Sequence, residues 1–110
     1  MEKPLSLLLI EDSEDDALLV LRELRRGGYA VNFERVQTPS TMMDALAHRA
    51  WDVILSDYSM PSFSAPEALR LLQKMGIDIP FIIVSGTVGE DIAVEAMKAG
   101  ANDFFAKDKL

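Results

Sequence analysis

The sequence predicts one α/β domain built on a parallel sheet, and two observations carry that expectation. First, short continuous apolar runs, LSLLLI (5–10), DVILS (52–56) and FIIVS (81–85), have the character of strands buried on both faces. Second, segments with helical periodicity and cap signals separate them, so strand and helix alternate five times across short loops. A length of 110 residues suits a single domain, and 49% hydrophobic residues suffice for a packed core. No internal repeat, low-complexity tract or linker interrupts the pattern.

In chain order, LSLLLI is the first strand. SEDDALLVLRELRRGG (13–28) follows as a helix. Ser13 with Asp16 three residues on reads as a capping box with Asp in the Glu position, and acids crowd the first turn. Leu18, Leu21 and Leu24 suggest its apolar stripe, and Gly27-Gly28 its end. NFERV (32–36) is a strand of mixed polarity, expected at an edge. Thr38 caps a second helix with Pro39 at its first position, running to about Arg49. DVILS is the next strand. SAPEALRLLQKMG (64–76) is a helix with a Ser64/Glu67 capping box and Gly76 as terminator. FIIVS, introduced by Pro80, precedes a helix over EDIAVEAMKAG (90–100), and DFFAK (103–107) is the last strand. Crossovers between such parallel strands are right-handed. A parallel sheet needs helices on both faces, and four helices serve five strands here, so a fifth helix is expected beyond Leu110 and the chain reads as a piece of a longer protein.

Composition narrows the function. Eighteen acidic against eleven basic residues give a net charge of −7, which argues against a nucleic-acid surface built from clustered Lys and Arg. The one basic cluster, Arg22 with Arg25 and Arg26, falls near a helix end, where it complements the dipole. Without cysteine there are no disulfides or thiolate metal sites, so a reducing, cytoplasmic setting is expected. No apolar run nears the roughly 18 residues needed to span a membrane. The N-terminal MEKPLSLLLIEDSEDD meets acids too soon for a signal peptide.

The polar residues fall where the strands end. The first strand runs into Glu11-Asp12, the second central strand into Ser56-Asp57, the third into Ser85-Gly86-Thr87, and the last into Lys107. Ligands of open parallel sheets bind beyond the carboxyl ends of the strands, so these groups should converge on one crevice. Singly each has a plainer explanation: Asp57 as a turn former, Glu11-Asp12 as the polar start of a helix, Lys107 as a solvated surface residue. Their conjunction favours a site. Three carboxylates together repel and raise one another's pKa values unless balanced. Lys107 supplies one positive charge, and a hard divalent cation with oxygen ligands, Mg²⁺ in preference, suits the remainder. A cation beside carboxylates, a lysine and a hydroxyl can clamp a phosphoryl group, with a carboxylate as nucleophile. His48, in a helix tail, is expected to be exposed and uninvolved, and Trp51, Met42 and Met43 read as packing residues.

Together LLLIEDSEDD, LSDYSMP, VSGTVGED and AMKAGANDFFAK resemble the receiver domain of bacterial two-component response regulators, in order and spacing over essentially the whole chain. The resemblance implies a flavodoxin-like doubly wound sheet of order 2-1-3-4-5, with residues 1–110 forming a receiver domain cut before its fifth helix. It implies that Asp57 accepts a phosphoryl group from the phosphohistidine of a sensor histidine kinase or phosphotransfer domain. Glu11 and Asp12 match the acidic pair that holds Mg²⁺, Asp12 directly and Glu11 through water, and Ser59 matches the position whose backbone carbonyl ligates the metal. Ser85 matches the hydroxyl residue that moves toward the new phosphate, Lys107 the lysine that pairs with it, and Phe104 the rotating aromatic that reports the change to a downstream or covalently linked output domain. Lys107 is followed by Asp108 where the family usually has proline, and Phe104 stands where Tyr is common. No direct nucleic-acid or membrane contact is implied for this domain, and a homodimer is compatible with it.

Three rival readings differ at named positions. An aspartyl-phosphate phosphatase-like enzyme needs a second Asp just after the nucleophile, and that position is Ser59. A flavodoxin-like cofactor binder wants a Gly/Ser/Thr-rich loop after the first strand, where Glu11-Asp12 would repel phosphate. A degenerate receiver acting only through protein contacts would have no need of Asp57 and Lys107.

Overall fold

The computed structural model of the chain describes residues 2–58, 60–86 and 90–107. The elements are β1 (Lys3–Ile10), α1 (Glu14–Arg26), β2 (Tyr29–Val36), α2 (Pro39–His48), β3 (Val53–Asp57), α3 (Ala65–Lys74), β4 (Phe81–Ser85), α4 (Glu90–Lys98) and β5 (Asp103–Ala106). All neighbouring strands pair in parallel, in the order β2-β1-β3-β4-β5. The expected fold class, order and edge position of β2 are all observed.

The apolar runs explain the layering. Side chains alternate along a strand, and successive residues of β1 and β3 enter different cores. Leu8, Ile10 and Ile54 pack with α2, α3 and α4 through Met42, Ala45, Leu69, Leu72 and Ala96. Leu7, Leu9 and Leu55 pack with Ala17, Val20 and Leu21 of α1. Both faces are therefore buried, which is why these strands read as continuous rather than alternating apolar runs. Trp51 closes the first core, its indole N–H donating to the Ala45 carbonyl at 2.9 Å under the Arg49 guanidinium, 4.4 Å from the ring centre.

Three local expectations need correction. The buried stripe of α1 is Ala17, Val20 and Leu21 with Leu24 partly buried, while Leu18 is 58% exposed. The spacing 17, 20, 21, 24 follows the helical period, whereas leucines three apart drift off the face. The capping box at α1 is only half made: Ser13 Oγ accepts from the Asp16 N–H at 3.2 Å, but the Ser13 N–H donates to Glu11 Oε2 at 3.3 Å. The boxes at Thr38/Thr41 and Ser64/Glu67 are complete, the first closed by Thr41. β1 and β2 also begin earlier than their apolar patterns, because Lys3 pairs with Tyr29. Pro4 is tolerated there because β1 pairs with β3 only from Leu7 onward.

The turn from α4 into β5 depends on a glycine. Gly100 has φ of 113°, and a Cβ there would lie 2.6 Å from Gln73 Nε2, which donates to the Ala99 carbonyl at 2.9 Å. Gly27, at φ of −76° and ψ of 0°, lies outside the left-handed region and is open to other residues. Gly100→Ala should therefore cost about 1–3 kcal/mol, while Gly27→Ala should stay within about 0.5 kcal/mol of wild type. Chemical denaturation of both variants checks this, and equal losses would contradict the conformational argument.

Candidate functional site

Strand register builds the site. Ile10 pairs with Ser56, Asp57 with Val84 and Ser85 with Ala106. The carboxyl ends of β1, β3, β4 and β5 thus lie level, and the residues at or just past them share one rim: Glu11, Asp57, Ser85 and Lys107. Asp12 continues from Glu11 toward α1. These sequence-predicted residues do come together. Carboxylate oxygens of Glu11, Asp12 and Asp57 lie within 4.8 Å of one another. Glu11, Asp57 and Ser85 are buried, at 2%, 8% and 1% exposure, and Asp12 is exposed.

Burying like charges at such spacing is unfavourable unless a cation balances them. Lys107 does so. Its Nζ lies 2.8 Å from Glu11 Oε1, 2.7 Å from Asp16 Oδ2 and 3.2 Å from Asp57 Oδ1. Glu11 also accepts from the Ser13 N–H, so both of its oxygens have donors. Its backbone is fixed by the Glu11 N–H on the Val36 carbonyl at 3.1 Å and by Arg35 Nη1 on the Glu11 carbonyl at 3.1 Å. Ser56 Oγ donates to the Asp57 carbonyl at 3.1 Å, and the Tyr58 N–H to the Val84 carbonyl at 3.2 Å, which anchors the start of the loop after β3. Among the described residues no buried side-chain N or O lacks a partner.

The electrostatics follow from this packing. Burial is the main force raising the Glu11 pKa above its ordinary value; the Lys107 hydrogen bond opposes it and the Asp57 charge adds to it. For Lys107 burial pulls the pKa down, but hydrogen bonds to Asp16 and Glu11 and the nearby Asp57 charge more than reverse this, so it ends well above the ordinary lysine value. Lys107 therefore stays charged through the physiological range, and its contribution fades only as pH climbs past the ordinary lysine value of 10.5.

Asp16 is the residue that sequence reasoning missed as a site group. Its local signature, third after Ser13, is that of a cap, and its partner is 91 residues away. Phe104 is half-buried, with its ring tilted 59° to Tyr58 at 6.5 Å between centres. His48 and Met43 are exposed, and Met42 and Trp51 are core residues. Ser59, Thr87 and the Lys107-Asp108 bond fall outside the described residues.

A rim of strand ends carries these acids, a hydroxyl and a part-buried lysine, and residues 7–109 fit the profile of the response regulator receiver domain. The chain belongs to this family. Receiver domains are the phosphoacceptor signalling modules of two-component systems, acting with kinases and output domains rather than as conventional enzymes. The receiver domain is 32% identical over 99 residues to the luminescence regulatory protein LuxO of Vibrio campbellii, covering 90% of this chain and 21% of LuxO. It is 32% identical over 102 residues to the response regulator protein TodT of Pseudomonas putida, covering 93% of this chain and 44% of TodT. The chain thus spans less than half the length of either relative. Among solved structures, the receiver domain of a Francisella response regulator superposes with a TM-score of 0.79 at 22% identity, covering 94% of this chain and 84% of that one. The Mn²⁺-bound form of response regulator Rcp1 gives 0.75 at 21% identity, covering 94% and 81%. No described helix is long and apolar enough to cross a membrane.

The raised Glu11 pKa gives a signed test. A carboxyl titrating higher in the folded chain weakens folding when charged, a penalty fully present above its folded value and absent below its unfolded one. In chelator at pH 7, Glu11→Gln should therefore melt above wild type. The gap should close as pH falls through the ordinary glutamate value of 4.5. A pH-independent gap would contradict the burial argument.

Proposed function

We propose that Asp57 is the phosphoacceptor, taking a phosphoryl group from the phosphohistidine of a sensor histidine kinase or phosphotransfer domain. The observation carrying this reading is the placement of Asp57. It is a buried carboxylate at the end of β3, in the acidic cluster and 3.2 Å from the Lys107 ammonium. An Asp57 oxygen supplies the electron pair that forms the new O–P bond. The N–P bond of the donor breaks, and its electron pair returns to the imidazole nitrogen. The product is an acyl phosphate, and the domain catalyses only its own phosphorylation and dephosphorylation.

The donor set of Glu11, Asp12 and Asp57 consists of oxygens alone, which fits Mg²⁺. Asp12, exposed at the rim, suits direct ligation, and Glu11, already paired with Lys107, suits contact through water; Ser59 would add its backbone carbonyl. Bound there, the metal supplies positive charge that offsets the carboxylates and polarises the incoming phosphoryl group. Lys107 Nζ donates to a phosphoryl oxygen, and Ser85 Oγ, at the level of Ala106 in the sheet, closes on another. Phe104 and its neighbour Tyr58 couple that movement to the face formed by α4 and β5, where the exposed Val94 and Met97 offer contact to an output domain. The opposite face supports the expected fifth helix, since Leu24, Leu55, Ile82, Val84 and Phe105 line an apolar groove there. A cytoplasmic setting belongs to the same reading.

The test is covalent labelling. Wild type with acetyl phosphate and Mg²⁺ should gain one phosphoryl group by mass, lost in hydroxylamine as acyl phosphates are, and Asp57→Asn should gain none. Label retained by Asp57→Asn, or none on folded wild type, would overturn the assignment.

A further inference from the structure

Asp16 has no part in the chemistry above, yet its Oδ2 makes the shortest of the three Lys107 contacts, 2.7 Å against 2.8 Å and 3.2 Å. An ammonium has three hydrogens, and three carboxylates already surround it. The hydrogen facing Asp57 at 3.2 Å passes to a phosphoryl oxygen, and because that group stands beyond the carboxylate the ammonium must shift to reach it, which loosens one of its two shorter contacts. Glu11 is poorly suited to yield, because its side chain is 3% exposed and would be left buried with only the Ser13 N–H. Asp16 can yield, because its side chain is 41% exposed and water can replace the lysine. Its position is set by the first turn of α1, where its N–H is held by Ser13 Oγ.

We propose that Asp16 is a positioning residue that competes with the phosphoryl group on Asp57 for the Lys107 ammonium, and so holds back the phosphorylated state. The proposal rests on Asp57 being the acceptor. It assigns the first turn of α1 a role in the switch: the latch between α1 and the end of β5 is closed in the resting domain and opens when Lys107 turns to phosphate. Because Asp16 is part-exposed, the competition is modest and weakened by salt.

Beryllofluoride, which mimics the phosphoryl group on a carboxylate, tests this at saturating Mg²⁺. Asp16→Asn should bind it about twofold to fivefold more tightly than wild type and should lose phosphate from Asp57 correspondingly more slowly. Asp16→Glu, which keeps the charge, should return toward wild type, and high salt should narrow the difference. In a Lys107→Ala background, adding Asp16→Asn should leave the affinity unchanged, because the partner over which the two groups compete is gone. Unchanged affinity in a folded Asp16→Asn would overturn the proposal, as would the same gain persisting without Lys107. The two readings separate cleanly: if wild type binds beryllofluoride but Asp16→Asn matches it, only the Asp16 role falls. If wild type does not bind at all, the phosphoacceptor reading falls and takes this one with it.

Discussion

The ammonium of Lys107 is the constraint around which the site is organised. It touches acids just past β1, in α1 and at the end of β3 while itself following β5. Removing that cation leaves the carboxylates around it without compensation, which costs far more than the intact pairing contributes. The same lysine neutralises the resting pocket and is the donor a phosphoryl group would require. Stability and switching therefore draw on one cation, and neither can be altered alone.

The sheet makes that sharing geometrically feasible. Parallel strands in level register bring their carboxyl ends to one rim, and the two apolar cores hold those ends still. Rigidity below the rim contrasts with adjustable groups on it: the exposed Asp12, the part-exposed Asp16 and the half-buried Phe104 resting on Tyr58. A switch needs this contrast, because a local change of charge moves a neighbouring element only when the rest of the structure does not absorb it.

Much of this was legible in the sequence, for physical reasons. Strands buried on both faces must be apolar throughout, so LSLLLI, DVILS and FIIVS declared themselves, and the polar residue ending each run marked the rim. Asp16 was not legible as a site residue because a local rule accounted for it. A Ser with an acid three residues later signals a cap, and only the fold shows that Glu11 supplies the reciprocal bond while Asp16 turns to Lys107. Leu18 misled for a related reason: leucine marks burial on average, but which side of a helix is buried depends on what it packs against, here Leu7, Leu9 and Leu55. The early starts of β1 and β2 rest on pairing between the two strands, which neither segment announces alone.

On the proposed reading, Lys107 and a divalent cation balance the same carboxylates. The most direct measurement is the unfolding free energy of Lys107→Met against wild type, in chelator and in saturating Mg²⁺. A loss of about 3 kcal/mol or more is expected in chelator, most of it recovered when Mg²⁺ is present. An equal loss in both buffers would show that the lysine acts on stability independently of the cation, and would contradict the shared charge balance on which the account rests.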